Sequence, residues 1–205
     1  MTGATHAREL ISTSLNVYEM LKLLKHGAVE KDPHFEKLLN QNRYFFLPIL
    51  NVDGVSMIEE TWNKTHKIIP HRKNHDKEMS SNCPHPDEDI GVDLNRNFPI
   101  GYQKSKDTSS NVYSGPHPFS EPETLAMKNF VDAKDNITVA LDYHSQGNVF
   151  FPAHKFNHEE EIEGTDLNTI CANMNYEIAK VTGRKYGIHR GKPPTKLISG
   201  SGREY

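Results

Sequence analysis

Two short runs, Tyr44-Phe45-Phe46-Leu47-Pro48-Ile49-Leu50 and Ile137-Thr138-Val139-Ala140-Leu141-Asp142-Tyr143, are apolar on successive residues rather than on alternate ones. A strand with two apolar faces must be covered on both sides, the condition of a mostly parallel sheet flanked by helices. Pro48 is the discordant residue in the first run. Helical periodicity fills the intervals. Residues 7–26 carry Leu10, Leu15, Tyr18, Leu21 and Leu24 on overlapping i+3/i+4 stripes, with Gly27 placed to end the helix. Ser120-Glu121-Pro122-Glu123 reads as a capping box opening a helix that runs to about Ala133. Residues 165–182 place Leu167, Ile170, Met174, Ile178 and Val181 on one stripe before Gly183. Helices alternating with buried strands predict an α/β fold, with a mixed, mostly parallel sheet and one domain over 1–205.

Residues 52–119 interrupt this pattern. They are rich in Asn, Asp, Ser, Pro and His, with one short helix expected at 56–64, and a loop of that length in a compact domain is usually functional or disordered. Lys+Arg 24 against Asp+Glu 27 gives a net charge of -3 without a sustained basic run, so no nucleic-acid partner is expected. No apolar window approaches the roughly 20 residues that span a bilayer, so no membrane partner is expected either. Cys83 and Cys171 allow at most one bridge and lie in no metal-binding cluster. Met1 leads into the chain without the charged and apolar regions of a signal peptide, which suits an intracellular protein or one whose start is absent.

The chemistry concentrates at three places. His6-Ala7-Arg8-Glu9 sets an imidazole and a carboxylate three residues apart at a helix start, where both reach one point in space. That spacing is half a metal site, and it can equally be a cap or a solvated face. His144 directly follows the second apolar run, the position from which an α/β fold offers a histidine to the carboxyl edge of its sheet. Two histidines and a carboxylate leave a fourth position for water, the pattern of catalytic zinc. Between them, Asn95 and Arg96 suit an anionic group, because a guanidinium grips a carboxylate bidentately and an amide adds a directional donor. Singly, that pair and His71-Arg72-Lys73-Asn74 read as surface features.

Together, the segments GATHARE at 3–9, NVDG at 51–54, HRKN at 71–74, GVDLNRNF at 91–98, YSGPHPFSEPET at 113–124 and LDYHSQG at 141–147 resemble, in order, the zinc metallocarboxypeptidases of the carboxypeptidase A/B type. The resemblance implies Zn2+, one per chain, on His6, Glu9 and His144. It implies that Asp93 accepts a hydrogen bond from His6 and fixes its ring, that Asn95 and Arg96 bind the C-terminal carboxylate of a peptide, and that Arg72 polarises the scissile carbonyl. Peptide or protein C-termini would be the substrate, and the protein a monomer. His66, His71, His75, His85, His117 and His189 match no ligand of that family.

The resemblance fails at both ends. The family's general base is a glutamate on a strand beyond the terminal Ser-Gly-Ser-Gly loop, and a buried strand precedes the HARE motif. Neither is present here, so the chain reads as a domain with terminal strands missing. The substrate-closing tyrosine of the family falls on Lys196 in the nearest register, with Tyr186 too far upstream. The specificity position falls on Arg203, which by charge would favour acidic C-terminal residues. A noncatalytic binder of zinc and peptide C-termini is the second reading. An acylamino-acid hydrolase is the third, against which the NRNF and YSGPHPFSEPE matches speak. Asn63-Lys64-Thr65 and Asn136-Ile137-Thr138 are sequons. The family suggests an extracellular or lysosomal/vacuolar parent.

Overall fold

The structure is a computed structural model that describes residues 1–75, 91–153, 166–189 and 200–202. The expectations placed on Cys83, His85, Lys196 and Arg203 lie outside the described residues.

The periodic segments form helices, with ends set by capping chemistry. Helix α1 spans Leu10–Leu24 and runs into a π-helical turn, Lys25–Val29. A Cβ on Gly27 in that turn would lie 2.5 Å from Leu39 Cδ1 and 2.9 Å from the Phe35 carbonyl oxygen, so glycine lets α2 approach closely. Helix α2, Pro33–Gln41, has no counterpart in the sequence reading. Its signal was local: Asp32 accepts hydrogen bonds from the amides of His34 and Phe35, and Pro33 takes the first helical position. Helix α3, Val52–Thr65, starts four residues before the expected 56–64 because the Asn51 side chain caps it through the Gly54 amide. Helix α4 is Pro122–Asp132 with Glu121 at the N-cap, and no side chain caps it. The expected capping box does not form, because the Ser120 hydroxyl is engaged by Asn97 Nδ2 and Glu121 Oε1. Helix α5, Leu167–Thr182, ends at Gly183 with φ 70°, the left-handed stop its glycine predicted.

The fold class is α/β, with most of the sheet reduced to single rungs. Strand β1, Val149–Phe150, pairs in parallel with β2, Gly187–Ile188. The two apolar runs form no ladder strands among the described residues, and the first bends at Pro48 and Leu50. Instead, Thr2 bridges Leu47 on one side and Asp142 on the other, both in parallel. Backbone bonds fix this junction: the Thr2 amide donates to Leu141, Gly3 to Leu47, Leu47 to Met1 and Tyr143 to Thr2, at 2.8–3.0 Å.

The expected burial of these runs is also corrected. Ile137 and Val139 are exposed, as are the α1 stripe of Leu10, Leu15, Tyr18, Leu21 and Leu24 and, on α5, Ile170 and Val181. The physical reason is one of layers, since among the described residues no second layer packs on these faces. The interior is assembled elsewhere. Ala4, Ala7, Leu50, Val92, Leu94, Phe98 and Tyr113 are buried beside Thr5, His6, Glu9, Asn51, Asn74, Asp93 and Asn97.

Candidate metal centre

The start of α1 is held by the junction around Thr2. The amides of Leu50 and Asn51 donate to the carbonyls of Gly3 and Ala4, and the Ala7 amide donates to Arg72. The Ser12 hydroxyl accepts from the Ala4 amide at 2.8 Å and donates to the Glu9 carbonyl at 2.6 Å, closing residues 4–12 into a tight bend. This bend buries His6 and Glu9 to 3% and 6% exposure, deep enough that an unpaired charge there would be costly. The bond from the Tyr143 amide to Thr2 then brings His144 beside them.

His6 Nδ1 lies 2.8 Å from Glu9 Oε1, His144 Nδ1 lies 2.8 Å from Glu9 Oε2, and the two Nδ1 atoms are 3.2 Å apart. A tetrahedral zinc with ligand bonds near 2.0–2.1 Å separates its donors by about 3.3 Å, so this set needs only a slight expansion to hold the ion. Among the described residues these three form the one cluster of donors able to hold a metal, with atoms within 4.8 Å of one another. Two imidazole nitrogens and a carboxylate suit zinc chemically, so the residues fit the group. Among the other described histidines, the His71 ring meets the Asn74 carbonyl, His117 the Pro118 carbonyl and His26 the Glu30 carboxylate, His66 ends α3, and His34 and His189 pack on Phe35 and Phe151.

The charges respond to this crowding. Burial pushes the Glu9 carboxyl up, but hydrogen bonds from His144 and His6 outweigh it and bring it down to about 2. Burial pushes His144 down, but its contacts with Asp142 and Glu9 carry it up to about 10. Burial works against ionisation of Asp93 too, yet His6, Arg72 and Arg96 hold its carboxyl below the usual range.

Asp93, fully buried, sits behind the site. Its Oδ1 is 3.2 Å from His6 Nε2, a contact between buried groups whose alignment falls short of a well-formed hydrogen bond. The Asp93 carboxylate is turned toward other donors: Oδ1 accepts from the Asn95 amide, and Oδ2 accepts from Arg72 Nε at 3.0 Å and Nη2 at 2.8 Å. Arg72 is thereby fixed beside the ligands. Asn95 and Arg96 lie on a short 3-10 turn, Leu94–Arg96, started by Asp93. Asn95 Oδ1 accepts from the Ser201 hydroxyl and the Gly202 amide, which leaves Nδ2 facing His144 Nε2 at 3.5 Å. Arg96 Nη1 donates to the Asn95 carbonyl at 2.6 Å. The structure therefore gathers His6, Glu9, His144, Asp93, Arg72 and Asn95 through direct contacts, with Arg96 adjoining. Arg203 lies outside the described residues.

Sequence reasoning gave no role to the asparagines that brace the site. Asn51 Nδ2 donates to the Thr5 and Lys73 carbonyls. Asn74 Oδ1 accepts from the Val92 amide at 2.7 Å, and its Nδ2 donates to Glu121 Oε2 at 2.6 Å. Asn97 Nδ2 donates to the Ser114 and His117 carbonyls and the Ser120 hydroxyl, and Oδ1 accepts from the Thr124 hydroxyl. Each amide thus ties loop segments far apart in sequence, a use for which the motifs NVDG, HRKN and NRNF were the available signal. Gly91, φ 93°, is required where the chain turns in, since a Cβ there would be 2.0 Å from the Asn74 carbonyl oxygen. A groove of about 520 Å³ adjoins Glu9, bordered by Arg8, Ile58, Ile68, Ser145 and Gln146.

The family model described as zinc carboxypeptidase matches residues 1–203. The mast cell carboxypeptidase A of Mus musculus is 30% identical over 193 residues, covering 89% of this chain and 43% of that protein. The inactive metallocarboxypeptidase ecm14 of Schizosaccharomyces pombe is 32% identical over 148 residues, covering 70% of this chain and 27% of that protein. Among solved structures, thrombin activatable fibrinolysis inhibitor superposes with TM-score 0.78 at 23% identity over 97% of this chain and 47% of that one, a likeness of fold. An α/β chain with a preformed His-Glu-His donor set defines a metallopeptidase-like class, and the chain belongs to the zinc carboxypeptidase family. The chain spans less than half the length of the mast cell relative. No described helix is long and apolar enough to cross a membrane.

Proposed function

We propose that this chain carries the metal-binding and carboxylate-binding portion of a zinc-dependent metallocarboxypeptidase, whose whole protein removes single C-terminal amino acids from peptides and proteins. The observation that carries this reading is the convergence of His6 Nδ1, Glu9 and His144 Nδ1 within one coordination sphere. Bound zinc supplies Lewis-acid polarisation and lowers the pKa of water toward ~7. The protein's own residues do the rest of the work. His6, Glu9 and His144 hold the ion. Asn95, its Oδ1 already occupied, offers Nδ2 to the substrate's terminal carboxylate, and Arg96 adds its charge. Arg72, held on Asp93, meets the negative charge that develops on the scissile carbonyl oxygen, an interaction worth about 10²–10³ in rate. No described residue is assigned as general base. Arg203 is proposed to favour acidic C-terminal residues, and a preference for Leu-ended over Glu-ended peptides would reject that assignment. An extracellular or lysosomal/vacuolar compartment and a monomeric state go with this reading.

The similarity to an inactive metallocarboxypeptidase supports a second reading, a noncatalytic binder of zinc and peptide C-termini that uses the same residues. Zinc stoichiometry and peptide hydrolysis measured on one sample of the whole protein, beside a His144→Ala control, separate the two. One zinc with hydrolysis, both lost in the control, supports the enzyme. One zinc without hydrolysis supports the binder, and a folded sample that takes up no zinc rejects both.

A further inference from the structure

His144 is backed by a carboxylate that the catalytic reading does not use. Its Nε2 lies 2.8 Å from Asp142 Oδ2, two residues earlier in the chain. The other Asp142 oxygen, Oδ1, accepts from the Thr2 hydroxyl at 2.7 Å and the Thr5 hydroxyl at 3.1 Å. Both threonines precede or flank His6, so one carboxylate links the segment carrying His144 to the segment carrying the other two donors. The backbone reinforces the link, because Thr2 bridges Asp142 in parallel and receives the Tyr143 amide.

The tautomer argument gives this contact its consequence. With Nδ1 directed at the cluster, the ring proton of neutral His144 sits on Nε2 and needs an acceptor. The other group within reach of Nε2, Asn95 Nδ2 at 3.5 Å, is itself a donor, and its orientation is fixed because Asn95 Oδ1 accepts from Ser201 and Gly202. Asp142 Oδ2 is the acceptor that can hold the proton there. A metal-ligating histidine that donates its second nitrogen to a carboxylate gains basicity and a fixed ring plane. His6 has a less well aligned backing, since its contact with Asp93 is out of line and Asp93 is shared with Arg72.

We propose that Asp142, oriented by Thr2 and Thr5, is a positioning residue that locks His144 in the Nε2-protonated tautomer and aims Nδ1 at the metal. The inference rests on His144 being a zinc ligand. The test measures zinc affinity by chelator competition on the folded 205-residue chain, with circular dichroism confirming the fold and ¹⁵N shifts of the imidazole reporting the tautomer. Asp142→Asn preserves size and removes the charge, and it is expected to weaken zinc about 10–100-fold and to erode the Nε2–H signature of His144. Thr5→Val leaves the carboxylate in place but removes one of its donors, and a smaller loss of affinity is expected. Should Asp142→Asn fail to fold, the Thr5→Val affinity and the wild-type tautomer decide the matter. Unchanged affinity in both variants, or a wild-type His144 protonated on Nδ1 when zinc is bound, overturns the proposal while leaving the zinc site intact. A wild-type chain that takes up no zinc overturns both the proposal and the reading beneath it.

Discussion

The surroundings of Asn97 and the outward face of α1 invert the usual arrangement of a protein. Asn97 is fully buried with its side chain hydrogen-bonded to two carbonyls, one backbone amide and two hydroxyls, whereas Leu15, Tyr18 and Leu21 stand exposed along α1. The difference lies in how each interaction is completed. A hydrogen bond needs one partner in one direction, and Asn51, Asn74 and Asn97 each find such partners among the described residues. An apolar stripe needs a whole facing layer to exclude water, and none faces α1 among the described residues.

If polar bracing carries the local order, substitutions there outweigh any on the apolar helix. Gly91→Ala is expected to have the largest effect, on the order of 3 kcal/mol or more, because the methyl meets the Asn74 carbonyl and φ 93° disfavours any side chain. Urea denaturation of the variant beside the parent measures it, and a loss below about 1 kcal/mol would mean that the 74–92 contact is not part of the folded core. Asn97→Ala should cost about 2–3 kcal/mol, since it leaves buried carbonyls and the Thr124 hydroxyl without their partner. Asn51→Ala should cost about 2 kcal/mol through loss of the α3 cap and of two carbonyl contacts, and helix content by circular dichroism should fall with it. Leu21→Gln is expected to change stability by no more than about 0.5 kcal/mol, against several for a buried leucine. A large stability loss from Leu21→Gln would show that α1 is covered in solution, and the comparison would fail.

The helices were legible to different degrees for reasons tied to single residues. Gly183 marked the end of α5 and was found in the left-handed region that a glycine stop requires. The Ser120 box looked equally good and did not cap, because Asn97, distant in sequence, holds the Ser120 hydroxyl. Asp32-Pro33 is an equally local signal, and Phe35, Leu38 and Leu39 at i, i+3 and i+4 give α2 a short apolar stripe, although no residue of the helix is buried. The candidate ligands were readable as a set of residue types, because HxxE at a helix start and a histidine after an apolar run are local patterns. Asp142 was not singled out, since its significance depends on which nitrogen of His144 faces the cluster.

The sequence by itself determined the α/β class, the positions of α1, α4 and α5 to within a few residues, and the family to which the chain belongs. Those properties follow from periodicity, stop residues and ordered motifs, all of which are local or additive along the chain. Only the tertiary structure decided that Asp93 turns its carboxylate to Arg72 rather than squarely to His6, and that Thr2 joins both apolar runs through single rungs. It likewise decided that the apolar stripes stay exposed while asparagines fill the interior. These are matters of direction and of what lies opposite, and a side chain's partner across a fold is fixed by geometry that no stretch of sequence encodes alone.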